Sequence, residues 1–412
     1  MNQNNFPQKI SFSEAQAIVD DVAATNRLED ERVPLARALN RVLAEDIVAA
    51  VAVPNFDNAA MDGYALRAED LNEYAKSGFE IIGEQFAGAP TGFVIGPGQC
   101  VRITTGAILP DGTDTIAIKE DSSEDQGVVK FHAPIKFGAN IRRASEDVAI
   151  DDNIAKAGQI LKAARLSLLA AVGLHDVSCT RRPTVAIFTS GDELQAPGQP
   201  LQAGQIYDSN RVLLQNLLIS EGLEPVAWPV LPDDPARIES ALKDAAFSFD
   251  VVITCGGVSA GEKDYLPAFL QEHGQIHFWK VRMKPGMPLL FGQVGKTLFL
   301  GLPGNPVSVL ATFLSLGRRL LDGLQGRLEP RSLLRAQLSQ TINKQHARLE
   351  FMRGDLHIDN QGMISVTPNA ATGSHRLRAA AESNALIMLS EGEGSISGGT
   401  MMRVIPYGRW LS

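Results

Sequence analysis

Asp250-Val251-Val252-Ile253-Thr254-Cys255-Gly256-Gly257-Val258-Ser259-Ala260-Gly261-Glu262-Lys263-Asp264-Tyr265 is the stretch on which the fold turns. Val251, Val252 and Ile253 form a short β-branched run, the pattern of a strand buried on both faces. Gly256-Gly257 ends that run, Val258 to Gly261 turn the chain, and Tyr265-Leu266-Pro267-Ala268-Phe269-Leu270 begins a helical pattern. A strand, glycine loop and helix in this order can aim bare backbone N–H groups at an anion, and the helix dipole favours negative charge there. Glu262 and Asp264 would repel a phosphate unless a cation lies between them, so the loop suggests a phosphate held with Mg²⁺. The plainer alternative is a tight βα turn with two solvated acids that complement the dipole.

From Pro183 to about Arg319 strand and helix patterns alternate. Val185–Phe188 reads as a strand ending in Thr189-Ser190-Gly191-Asp192-Glu193-Leu194, with a helix over 212–221 led by Tyr207-Asp208-Ser209-Asn210. Pro225–Val230 is a second strand, ending at Pro232-Asp233-Asp234-Pro235 before a helix over 236–246. Phe278–Val281 precedes Met283-Lys284-Pro285-Gly286-Met287-Pro288. Thr297–Leu300 ends in Gly301-Leu302-Pro303-Gly304-Asn305-Pro306-Val307-Ser308 before a helix over 309–321. The pattern predicts a doubly wound, mostly parallel α/β domain over 177–326, whose ligands bind beyond the carboxyl ends of the strands. Glu193, Asp233, Asp264 and Ser308 all fall at such ends.

The flanks differ in character. Ser13-Glu14-Ala15-Gln16 has the form of a capping box before Ile18, Val19 and Val22. A second helix is expected over Pro34–Leu43, with Pro34 at its start, and a third over Ala163–Val172 closed by Gly173. Residues 1–53 and 144–176 therefore predict a helical stalk in which these helices pack together. Between them, 54–143 reads as a small inserted β domain with strands at Phe79–Ile82, Cys100–Ile103, Thr115–Ile118 and Val128–Phe131. It opens with Phe56-Asp57-Asn58-Ala59-Ala60-Met61-Asp62-Gly63-Tyr64-Ala65, in which Asp62-Gly63 also fits a hairpin turn. Arg102-Ile103-Thr104-Thr105-Gly106 sets hydroxyls at a strand end. Arg142-Arg143 and Glu146-Asp147 close the insert, either as an anion-recognising pair with acids or as a surface ion-pair cluster. Residues 327–412 form a C-terminal β domain with strands at Leu334–Leu338, Leu349–Met352, Ile364–Thr367, Ala385–Leu389 and Met401–Ile405.

Composition narrows the function. A net charge of −9 disfavours nucleic-acid binding, and no apolar run approaches a membrane span. Three widely spaced cysteines, Cys100, Cys179 and Cys255, fit a reducing cytosol better than a disulfide framework, with Cys255 a conceivable but more naturally inert thiol. No Ser-His-Asp set, dinucleotide fingerprint or Walker loop is present. Acids at Asp62, Asp147, Glu193, Asp233 and Asp264, with lysines at 280 and 284, suit an anionic ligand held through a divalent cation. Gly256, Gly257, Gly286 and Gly304 allow close backbone approach, and the proline-stiffened loops at 284–286 and 303–306 preorganise the site.

The motifs at 56–65, 190–194, 256–265, 284–286 and 301–308, in order along nearly the whole chain, resemble the molybdopterin molybdenumtransferase family, which includes a domain of gephyrin. The resemblance implies a cytoplasmic enzyme of molybdenum cofactor biosynthesis that takes molybdate and adenylylated molybdopterin, releases AMP and leaves molybdenum on the dithiolene, with Mg²⁺. It implies an elongated homodimer of four-domain subunits with a shared cleft, and contact with other proteins of that biosynthesis. Carried over by motif, Asp62, Asp147, Glu193, Asp233, Asp264, Lys280 and Lys284 are the catalytic set, with Asp233 and Asp264 as metal ligands. Thr105, Gly256, Gly257, Ser259, Pro303 and Pro306 join Lys284, Pro285, Ser308, Arg353 and Ser374 in the binding set, the last five linked to molybdate. Two positions depart from the family: Met287 stands where many members have lysine, and Ser145 where many have glycine, which would strain the backbone if that position needs φ > 0. The related adenylyltransferase and a non-catalytic dimeric scaffold are the alternatives.

Overall fold

A computed structural model describes residues 6–258, 265–331, 334–392 and 394–407. The strands Val185–Thr189, Val251–Cys255 and Thr297–Leu302 are buried at every position. They form the parallel centre of a seven-stranded sheet, Val251 facing both Val185 and Leu298. Their side chains divide by a period of two. Val185, Ile187, Val251, Ile253, Leu298 and Leu300 enter one core, and Ala186, Phe188, Val252 and Phe299 enter the other. Helices Ser209–Ser220 and Pro306–Thr312 cover the first face, and Pro235–Ser248 and Tyr265–His273 the second. This is the predicted doubly wound layer. Its other half is mixed: Gln275–Val281 and Leu290–Val294 form an antiparallel pair, the latter antiparallel also to Thr297–Leu302.

Several local expectations are corrected. The first helix is Phe12–Thr25, capped by Ser11 and Glu14 and not by Ser13 and Gln16. Both spacings satisfy the box. The earlier start buries Phe12 and frees Gln8–Ile10 to pair in parallel with Gln275–Val281. The helix joins the α/β core, against Arg318–Leu324, and not the helix at Ala163–Ala171. A Cβ on Gly323 would lie 2.6 Å from Ala23 Cβ, so this close crossing needs glycine there. Pro34–Leu43 is not a helix. Asp30–Pro34 pairs with Asp176–Thr180, only Leu35–Arg37 makes a 3₁₀ turn, and Asn40 is left-handed at φ 61°. The stalk segment is thus one helix, Ala163–Ala171, over paired short strands, around Val33, Leu43, Leu161, Leu169 and Val177. The strand at 225–230 shrinks to Val226–Ala227, and the last α/β helix starts at Pro306 and runs to Leu324 through a π turn at Phe313–Gly317.

The insert is a six-stranded sheet holding Phe79–Gln85, Gln99–Ile103, Thr115–Ile118 and Val128–Phe131, with Gly63–Leu66 between Thr115–Ile118 and Gln99–Ile103. Asp62-Gly63 is therefore a strand entry and not a hairpin turn. A Cβ at Gly63 would meet the Ala117 carbonyl oxygen at 1.9 Å. The C-terminal sheet contains all five expected strands and a sixth from the α/β segment: Met283–Lys284, parallel to Leu349–Glu350. That pairing fastens the two domains together beside Lys284.

Candidate active site

The predicted residues fall into three groups. In the insert, Asp62 Oδ1 accepts hydrogen bonds from the Thr105 N–H and hydroxyl, both at 2.7 Å. The Thr105 N–H first, then its hydroxyl, hold the Asp62 carboxyl below the usual carboxylate range, so it is an anion at neutral pH. Asp147 lines an open cleft of about 600 Å³ with Val53, Pro54, Asn58, Arg142 and Glu146. Arg143 turns away to pair with Asp57 at 2.6 Å.

The second group lies beyond the carboxyl ends of the parallel strands. Gly256 and Gly257 have φ of 87° and 66°, a backbone that L side chains rarely adopt, and among the described residues a Cβ on either would find no atom nearer than 3.7 Å. Ser190 and Leu231 form a parallel bridge, which brings the Glu193 and Asp233 loops side by side. Asp192 Oδ1 accepts the Asp233 N–H at 3.1 Å. The donor set at these ends is all oxygen, the chemistry a hard divalent cation takes. Ser259 and Asp264 lie outside the described residues. The one cluster of ligand-type side chains with mutual metal-ligand spacing among the described residues, Glu239, Glu272 and His273, is elsewhere, and Glu239 is paired with Lys243 at 2.7 Å. Lys280 sits at φ 71° with its ammonium 4.7 Å from the centre of the Trp279 ring. Cys255 is buried, and burial pushes its thiol up, which removes the reactive-thiol alternative.

The third group joins two domains. Lys284, followed by a cis bond to Pro285, pairs with buried Glu350 at 2.9 Å. Arg353, on the same strand as Glu350 and only 4% exposed, donates to the Gly373 carbonyl at 3.1 Å, and its Nε has no partner among the described residues. Burial, opposed by Tyr407 and reinforced by Arg376, draws Arg353 below the ordinary guanidinium value. The Ser374 carbonyl accepts the Val307 N–H at 3.3 Å, next to buried Ser308. Lys284 and Ser308 in the α/β segment and Arg353 and Ser374 in the C-terminal segment thus lie along one junction, which the Lys284–Glu350 pair and the Val307–Ser374 backbone contact hold together. Arg348 reaches the Met287 sulfur at 3.9 Å, so a guanidinium stands beside the position where lysine is missing.

Sequence reasoning missed three supports. Asn210 Nδ2 donates to the Gly304 carbonyl at 2.6 Å and so pins the Pro303–Pro306 loop. Buried Asp208 accepts the Thr189 hydroxyl at 2.7 Å and the Arg211 N–H at 3.1 Å. Thr254, just before the glycine loop, carries a buried hydroxyl with no partner among the described residues. The polar run before the helix signalled a cap; its reach to Gly304 has no local signature.

Three family models match the chain in succession. Residues 10–173 match the MoeA N-terminal region (domain I and II), 186–323 a probable molybdopterin binding domain, and 335–407 the MoeA C-terminal region (domain IV). A molybdopterin molybdenumtransferase of Haemophilus influenzae is 40% identical over 93% of this chain and 95% of its own. The molybdopterin molybdenumtransferase 2 of Mycobacterium tuberculosis is 36% identical over 90% and 94%. A solved molybdopterin biosynthesis MoeA protein from Pyrococcus horikoshii superposes with a TM-score of 0.81 at 27% identity, covering 97% of this chain and all of that one.

Proposed function

Since the chain belongs to the molybdopterin molybdenumtransferase family, an enzyme family of molybdenum cofactor biosynthesis, we propose that it inserts molybdate into adenylylated molybdopterin and releases AMP in a Mg²⁺-dependent reaction. The observation that supports this reading is the set of contacts at one domain junction: Lys284 pairs with Glu350, Arg353 donates to the Gly373 carbonyl, and the Ser374 carbonyl accepts the Val307 N–H beside Ser308. Molybdate is a dianion and needs compensating charge: Lys284 offers a compact ammonium and Arg353 a planar fork whose Nε has no partner among the described residues. Pro285, Pro303 and Pro306 stiffen the loops that carry these groups. Gly256 and Gly257, with Ser259, admit the phosphates, and Lys280 adds positive charge. Asp233 and Asp264 would hold Mg²⁺, which when bound neutralises charge at the adenylate phosphate. Asp62, Asp147 and Glu193 supply the further acids that accept protons as water cleaves the phosphoanhydride bond and AMP departs.

Asp62, Thr105 and Asp147 sit on the insert and its base, whereas Glu193, Lys280 and Lys284 sit on the α/β layer. A homodimer whose cleft is shared between subunits is the arrangement that uses both. Leu39, Val48, Val51, Phe56, Phe137 and Ile150 are exposed on this half of the chain and suit burial against a second copy. The interface should reach or exceed about 1,200–2,000 Å². Domain limits near 54–143 and 327–412 go with this reading, as does a cytoplasmic location, supported by three free cysteines. No helix among the described residues is long and apolar enough to cross a membrane.

The test is incubation with adenylylated molybdopterin, Mg²⁺ and molybdate, scored for AMP. Asp264→Ala should slow AMP release by roughly 10²–10³, the scale of losing one electrostatic stabiliser, with the fold retained. Wild-type rates in that variant would remove Asp264 from the metal role, and no AMP from the wild-type chain would refute the reaction. Sedimentation should show a dimer; a fully active monomer would rule out the shared cleft.

A further inference from the structure

Trp279 and Lys280 are neighbours on the strand Gln275–Val281. Successive side chains of a regular strand leave on opposite faces. Here they meet, the Lys280 ammonium lying 4.7 Å from the centre of the Trp279 ring. Lys280 owes this to a left-handed backbone, φ 71°, that a residue with a Cβ adopts only under constraint. The constraint is visible: the Lys280 N–H donates to the Leu289 carbonyl at 2.8 Å, and the Val281 N–H to Met287 at 3.0 Å. Trp279 is itself held on its remaining sides. Its indole N–H donates to the Val258 carbonyl at 2.9 Å, its backbone N–H to Pro7 at 3.0 Å, and Phe6 packs against the ring at 6.4 Å. Val258 closes Gly256-Gly257-Val258. One side chain therefore touches both the glycine loop and the lysine. Core packing alone would require neither an N–H on a loop carbonyl nor a lysine folded back over its neighbour.

We propose that Trp279 is a positioning residue that fixes the spacing between the glycine loop and Lys280, and so sets the register in which a phosphate-bearing substrate is bound. This rests on the reading of Lys280 and the loop given above. Trp279 touches no substrate itself; it acts through the two groups that do. An ammonium over an indole face is also a weak competitor for an incoming phosphate, because ring attraction is small beside a charge-assisted hydrogen bond. Lys280 is thus held in place without being neutralised.

Trp279→Phe keeps a ring and removes the N–H; Trp279→Leu removes both; Lys280→Ala tests the lysine. Trp279→Phe should raise the adenylylated molybdopterin concentration for half-maximal AMP release about fivefold, with the molybdate requirement unchanged and stability lowered by no more than the roughly 1 kcal/mol of one internal hydrogen bond. Trp279→Leu should raise that concentration further. In a background where Trp228→Phe and Trp410→Phe leave Trp279 as the single tryptophan, AMP should shift its emission as the phosphate charge arrives beside the Lys280 ammonium over its ring. A Trp279→Phe enzyme with wild-type half-saturation and an emission blind to AMP, beside an impaired Lys280→Ala, would overturn the positioning role alone. Full activity in Lys280→Ala would overturn the assignment of Lys280 and this role with it.

Discussion

Ser145 stands at φ 68° in the turn that closes the insert, its N–H donating to the Pro54 carbonyl at 2.9 Å. The left-handed region crowds Cβ against the carbonyl and costs roughly 1–2 kcal/mol for an ordinary L-residue. A glycine there would relieve the strain at some cost in unfolded-chain entropy. Ser145→Gly should therefore be at least as stable as the wild type. Ser145→Val, β-branched, should lose about 1–2 kcal/mol more than Gly in urea denaturation. Equal losses in both variants would mean that the hydroxyl, and not the backbone, matters. The positive φ was inferable only through the family's glycine at this position; Asn-x-Arg-Arg-Ala-Ser has no local pattern that demands it. Lys280 had no such pointer, and its left-handed backbone could not be read from sequence.

Among the elements, the loop 284–288 illustrates how a helix and a strand fix a site between them. Gly286 has φ 104°, and a Cβ there would lie 2.4 Å from Thr312 Cγ2 on the helix that starts at Pro306. The loop carrying Lys284 is thus seated directly on the helix carrying Ser308. Gly286→Ala should force the two apart: both backbone strain and the clash oppose it, for a loss of about 2–3 kcal/mol. Chemical denaturation checks the stability, and AMP release should fall with it. Retained stability and activity would show that the loop floats free of the helix. The parallel strands Val185–Thr189 and Val251–Cys255 were legible because burial on both faces writes an unbroken apolar run. So were the glycines that end Val251–Cys255 and the acids Glu193 and Asp233 just past their strands. The segment 34–43 misled because Pro34 suits a helix start and a strand end equally, and pairing with Asp176–Thr180 decided between them. Strands Gln8–Ile10 and Leu290–Val294 were missed. The first is three residues long and the second contains Gly292 and Gln293, so neither has a period that stands out. The meeting of Arg353 with Gly373, and of Ser374 with Val307, belongs to tertiary structure and left no trace in either local stretch.

Across the whole molecule, pH acts through two histidines that folding keeps neutral. His277 lies on the strand Gln275–Val281, with Nε2 3.3 Å from Gln293 Oε1, and His346 lies beside Glu350 in the C-terminal domain, its Nε2 2.9 Å from Glu350 Oε2 but outside hydrogen-bond alignment. Burial lowers both from the ordinary value of 6.5; for His277 the Gln293 contact opposes it, and for His346 the Glu350 charge opposes it while Lys284, Lys344 and Arg348 reinforce it. Below 6.5 the unfolded chain takes up protons that these folded sites refuse. By linkage, stability is then full above the unfolded value and is lost as pH falls toward and through the lower folded ones. Thermal unfolding should therefore show a flat Tm from pH 8 to about 7 and a decline from about 6.5 downward, before the carboxylates begin to titrate. His277→Gln and His346→Gln should each flatten part of that decline while leaving Tm at pH 8 little changed, because glutamine keeps a hydrogen-bonding group without the titration. His346 adjoins the Glu350–Lys284 pair, so its protonation adds a second cation to one buried carboxylate. A Tm that rises as pH falls from 7 to 5.5, or a double variant that declines like the wild type, would mean that other groups set the acid limit of this fold.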